Sequence, residues 1–78
     1  MKYELYEATD KRDGQKMLWL RDCLNGRVAT FCLKWAPSRI RNQAITSPET
    51  IVWTDQTAMI VHADLPAAVH LATWEFSL

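Results

Sequence analysis

Asn25-Gly26 lies between two stretches of alternating apolar residues, and no other dipeptide dictates more of the chain's course. A two-residue type I′ turn needs positive φ at both central positions, which Asn and Gly reach at least cost. Pairing outward from such a turn sets Cys23 opposite Val28, Leu20 opposite Phe31 and Leu18 opposite Leu33. Ala29, Phe31, Leu33 and Trp35 then share one face with Leu18, Leu20 and Leu24, the period-two pattern of a half-buried sheet. Asp22 is the flaw on that face. The rival reading coils residues 15–24 into a short helix that ends at Asn25-Gly26 as its C-cap.

Ahead of this hairpin, Tyr3 to Thr9 reads as a strand and residues 10–14 as a polar connection. Behind it, Ala36-Pro37-Ser38 ends the strand, because proline cannot donate to a ladder and restricts the residue before it. Residues 38–49 are polar, with one helical turn around Arg39 to Gln43, and Pro48 resets the chain. Thr50 to Thr54 and Thr57 to Val61 are rich in β-branched residues, so they read as a second hairpin across Asp55-Gln56. In the tail, Asp64 either N-caps a helix over 64–72 or opens a turn before a strand from Val69 to Phe76. The expected fold is therefore mainly β, an antiparallel meander of about five to six strands. A short helix packed on the sheet is the α+β alternative.

Seventy-eight residues suit a single compact domain, 1–78. With 49% hydrophobic residues, four of them Trp, the chain can close a core without a metal or a disulfide. It carries no apolar stretch of signal-peptide type, and no run near the roughly 18 residues that span a bilayer. Two cysteines in that context read as reduced thiols, and the expected location is cytoplasmic. In the hairpin register, Cys23 and Cys32 stand roughly 13 Å apart, beyond the reach of a disulfide. Their spacing matches no zinc motif, so buried or half-buried structural thiols are expected.

The net charge is zero, but it is unevenly spread. All nine Lys and Arg precede residue 42 and share that segment with five acids, leaving it at +4; residues 42–78 carry four acids and no cation. Such asymmetry hints at a polar interaction surface unless folding interleaves the halves. His62, Asp64 and His70 fall short of the four ligands a structural zinc needs, so no metal is expected. No phosphate loop, dinucleotide-binding glycine pattern or zincin motif is present, and no signature surrounds either cysteine. A chain this short also has little room for a substrate cleft of about 300 Å³ or more. The expectation is no enzyme and no cofactor.

In size and composition the chain looks like the small phage-encoded proteins that block bacterial defences or redirect host enzymes. The leading expectation is a non-catalytic protein-interaction module, a small inhibitor or modulator of a larger protein complex. If one sheet face stays open, Trp19 and Arg21 lie on it, and Arg27, Lys34, Arg39 and Arg41 complete the candidate partner-binding set. The alternative is a small nucleic-acid-binding β-domain using Lys11, Arg12, Lys16, Arg39 and Arg41, although a pI near 6.7 is low for a polyanion binder. A homodimer is a further option for so small a core, and no membrane partner is expected.

Overall fold

The computed structural model describes residues 1–77. Five strands form one antiparallel sheet: β1 (Lys2–Thr9), β2 (Lys16–Asp22), β3 (Arg27–Phe31), β4 (Thr54–Asp55) and β5 (Val69–Glu75). Their order is β4-β3-β2-β1-β5. The first three strands are a meander, as the hairpin signal implied. The last strand instead returns to the far edge beside β1. Two helices cover the sheet, α1 (Pro37–Thr46) and α2 (Thr57–His62), each followed by a single 3₁₀ turn at Pro48–Thr50 and Leu65–Ala67.

Asn25-Gly26 does reverse the chain, and residues 16–22 are strand, which excludes the helical reading of 15–24. The register is nevertheless two residues away from that of a two-residue turn. Leu20 pairs with Ala29 and Leu18 with Phe31, so the loop contains Cys23, Leu24, Asn25 and Gly26. Asp22 is the reason. Its Oδ1 accepts from the backbone N–H of Leu24 (3.1 Å) and Asn25 (3.2 Å), while its Oδ2 accepts from Asn25 Nδ2 (2.8 Å) and Arg27 Nε (2.9 Å). A shift of two preserves which side chains share a face.

The β1–β2 connection is built the same way. Asp10 Oδ1 accepts from Arg12 N at 2.9 Å, and Gly14 N donates to Asp10 O at 2.8 Å, as Gly26 N does to Asp22 O at 3.0 Å. Gly14 and Gly26 have φ of 72° and 64°, the left-handed region that side chains bearing a Cβ enter at a cost. An added Cβ meets nothing within 4 Å at Gly14 and only Gln56 Oε1 at 3.8 Å at Gly26. The penalty for alanine is therefore backbone strain alone. Gly26→Ala is expected to cost about 1 kcal/mol and to lower the thermal midpoint by roughly 4–8 °C without changing the circular dichroism of the folded state.

The three central strands are packed on both sides, while the edge strands β4 and β5 are largely exposed. On one face Tyr3, Leu5, Leu18, Leu20, Ala29 and Phe31 pack beneath Ile40 and Ala44 of α1, with Ile51 closing the group. On the other, Ala8, Trp19 and Val28 pack beneath Met59 of α2 and Ala63. The helical turn expected at Arg39 to Gln43 is thus a ten-residue helix. It starts with Pro37 in its first turn, where the missing N–H is tolerated, and buries positions 40 and 44, one turn apart.

The expected second hairpin does not form: residues 57–62 are helix. Asp55 Oδ1 accepts from Thr57 N at 2.9 Å and starts that helix, and Met59 is drawn onto Trp19 while Ile60 and Val61 stay exposed. In the tail, the turn-then-strand reading is the one found, with a bulge at Leu71 between the pairs Leu5–Ala72 and Tyr6–His70.

Candidate interaction surface

Trp19 was a candidate contact residue on the premise of an open second face. It is 2% exposed, sealed by α2, and therefore cannot reach a partner while the helix stays in place. Its indole N–H is buried without an acceptor among the described residues. Arg21 shares this face but is committed to Glu4, with Nη1 to Oε1 at 3.1 Å. Cys23 donates to the same Glu4 oxygen at 3.1 Å. Burial pushes the Cys23 thiol up, and the neighbouring carboxylate adds to that, which is the reverse of an activated nucleophile. Both cysteines are free thiols; Cys23 is half-buried, whereas Cys32 is exposed rather than buried as expected.

Arg27 lies on the opposite face, in line with Tyr3 and Asp22 across three strands. It pairs with the fully buried Asp22 carboxylate and covers the Trp53 ring at 4.3 Å, while Trp53 stacks on Tyr3 at 6.1 Å. This cluster is structural. Burial alone would raise the Asp22 pKa, but hydrogen bonds from Asn25 and Arg27 outweigh it and hold the carboxyl below its ordinary value.

The cations are divided by these pairings. Among the described residues, Lys2, Arg12, Lys16, Arg21 and Arg27 each pair with an acid. Four of those five acids belong to the same half of the chain, so the charge asymmetry is cancelled mainly by local pairing rather than by interleaving of the halves. Lys11, Lys34, Arg39 and Arg41 make no ion pair with a described residue. The last three stand on α1 and its lead-in loop, all exposed. Between Asp22 and Glu49 the sequence has no acid at all.

Arg39 lies over the Trp35 ring at 3.9 Å, and Trp35 packs on Phe31 at 5.1 Å, so the pair is anchored to the core. Leu33 (43% exposed) and Ile45 (42%) add apolar surface to the same region. The first turn of α1 holds no acid and makes no side-chain capping bond. Arg39 therefore stands in the first turn, at the helix end whose dipole disfavours cations. A helix serving packing alone gains nothing from that placement.

The five candidate nucleic-acid contacts are not brought together. Lys11 N donates to His62 O at 2.7 Å, which places Lys11 and Arg12 beside α2, while Arg39 and Arg41 ride on α1 across the sheet. Arg12 is held by Asp10 through Nε and Nη2, and Lys16 pairs with Glu7. His62 ends α2 and His70 lies on β5, where Nε2 is 2.7 Å from Thr73 Oγ1; among the described residues no three potential ligands gather around a metal position. Among the described residues no helix is long and apolar enough to cross a membrane. Searches against protein-family models, curated proteins and solved structures find no match for this chain.

Proposed function

We propose that the chain is a non-catalytic protein-interaction module that docks the outer surface of α1 and its lead-in loop on an acidic surface of a larger protein. The carrying observation is the group Lys34, Trp35, Arg39 and Arg41: three exposed cations without acidic partners among the described residues, on α1 and its lead-in loop, with Arg39 over an anchored tryptophan. Arginine and tryptophan are the residue types that dominate binding energy at protein interfaces. Leu33 and Ile45 supply the apolar component that a protein surface rewards and a phosphate backbone does not. Occupying a surface is how a small inhibitor or modulator acts, and it requires no reactive group.

A labelled poly-glutamate peptide serves as the acidic probe, with single- and double-stranded oligonucleotides in parallel. Binding of the peptide is expected to weaken with salt and to be lost in the double variant Arg39→Glu, Arg41→Glu. That variant should fold normally. The cation–π contact with Trp35 is worth about 0.5–1 kcal/mol, and the gain from placing acids near the start of α1 is about 0.3–1 kcal/mol, so the two nearly cancel. Peptide binding unchanged in the double variant would refute the proposal. Oligonucleotide binding that is lost on Lys11→Ala and Arg12→Ala would replace it with the nucleic-acid reading.

A further inference from the structure

The sheet ends on two unlike edges. β4 is two residues long, whereas β5 has seven residues and no neighbour on its outer side among the described residues. Natural edge strands are blunted by brevity, by proline, by lysine or by an inward charge. β4 is short; β5 has none of the four. Val69–Glu75 contains no proline, lysine or arginine, and its one acid, Glu75, has a side chain 71% exposed. A bulge at Leu71 interrupts the strand near its start and leaves the stretch after it regular. There Ala72 and Trp74 lie opposite Leu5 and Tyr3, on the α1 side of the sheet, and both pack on the core. Thr73 lies opposite Glu4 on the other side and is exposed.

We propose that β5 pairs antiparallel with β5 of a second copy of this chain, about a two-fold axis at Thr73, to give one continuous sheet with five strands from each copy. Centred on Thr73, the strand is its own complement. Thr73 meets Thr73 of the second copy, a cross-strand pair that hydroxyls favour. Trp74 meets Ala72, large against small, on the face where both already pack on the core, so the two cores become continuous. Leu71, 40% exposed, is covered in the same step. Charge selects the antiparallel sense. Pairing about Thr73 sets Glu75 opposite Leu71 and keeps the two Glu75 carboxylates about 13 Å apart along the strands, beyond the screening length at physiological salt. Parallel pairing in register would place them side by side. One edge contact is small, so the midpoint of association is expected between roughly 10 and 1,000 µM. The proposal does not rest on the docking role of α1, since β5 contributes no residue to that surface.

The test is sedimentation velocity on the full chain at concentrations from about 1 µM to about 1 mM, with Thr73→Lys and Thr73→Glu alongside. The parent is expected to pass from monomer to dimer, and amide exchange in β5 to slow as it does. Each variant alone sets like charges against each other across the axis and should weaken association about tenfold. Mixed in equal amounts, the two variants set Lys against Glu and should associate at least as well as the parent. The substituted side chain is exposed, and circular dichroism checks that both variants fold. A parent that stays monomeric at the highest concentration would overturn the proposal and leave the edge to a strand of a different protein. A dimer that neither variant weakens, or a mixture that does not recover, would overturn the pairing about Thr73.

Discussion

Asp22→Ala is expected to lose about 3 kcal/mol of stability, from a total on the order of 5 kcal/mol for a chain of this length. The carboxylate is fully buried and serves as acceptor for two backbone N–H groups, the Asn25 amide and the Arg27 guanidinium. Removing it leaves those donors unpaired in a loop that sets the β2–β3 register. The figure is at the low end for a broken buried pair because Arg27 keeps about a third of its side chain in water. Asp22→Asn should cost less, since one oxygen still accepts, but it loses the charge that Arg27 faces. Urea unfolding of the three proteins orders them, and Asp22→Ala as stable as the parent would contradict the role given to this side chain.

The same carboxylates predict an acid transition. Asp22 titrates below its ordinary value when folded, and Asp10 is lowered to about 2 by the Arg12 side chain, with the Arg12 backbone N–H assisting. Groups lowered in the folded state contribute stability that is present above the unfolded pKa, about 4, and disappears as pH falls through the folded value. Stability should therefore drop between roughly pH 4 and pH 2, and the drop should be shallower in Asp22→Asn than in the parent.

Trp19→Ala is the second large effect, expected at about 4 kcal/mol. The indole is the largest fully buried side chain and carries the core between sheet and α2, which is only six residues long and cannot persist without tertiary packing. Trp19→Phe should lose only about 1.5 kcal/mol, because the indole N–H has no protein acceptor and no hydrogen bond is forfeited. Equal losses for Ala and Phe would mean that polarity, rather than packing volume, decides this position.

The faces of the first three strands are legible from residue alternation alone. The register is not, because Asn25-Gly26 alone points to a two-residue turn and alternation gives Asp22 no role on an apolar face. Asp22 instead caps a longer loop. The signal was present twice, since Asp10-Lys11-Arg12-Asp13-Gly14 and Asp22-Cys23-Leu24-Asn25-Gly26 both place Asp four residues before a left-handed glycine. Residues 57–62 mislead for a different reason. Their β-branched composition favours a strand, but the Asp55 cap and the need to cover Trp19 make them a helix, so tertiary packing overrides local preference.

The candidate surface was half visible. Lys34, Arg39 and Arg41 belong to the partner-binding set that the sequence suggests, but which of the nine cations stay unpaired depends on cross-strand neighbours such as Glu4 beside Arg21. The burial of Trp19 is not legible, because alternation shows which side of a sheet a residue occupies and not what lies on top of it. Trp35, the aromatic that does stand beside Arg39, is set by the loop before α1.

The claim that α1 is the docking surface is tested most directly by mapping the poly-glutamate titration amide by amide. Shifts should concentrate between Leu33 and Ile45, and the amides of α2 should stay in place. Shifts gathered instead at Lys11 to Lys16 or along β5, with α1 silent, would contradict it.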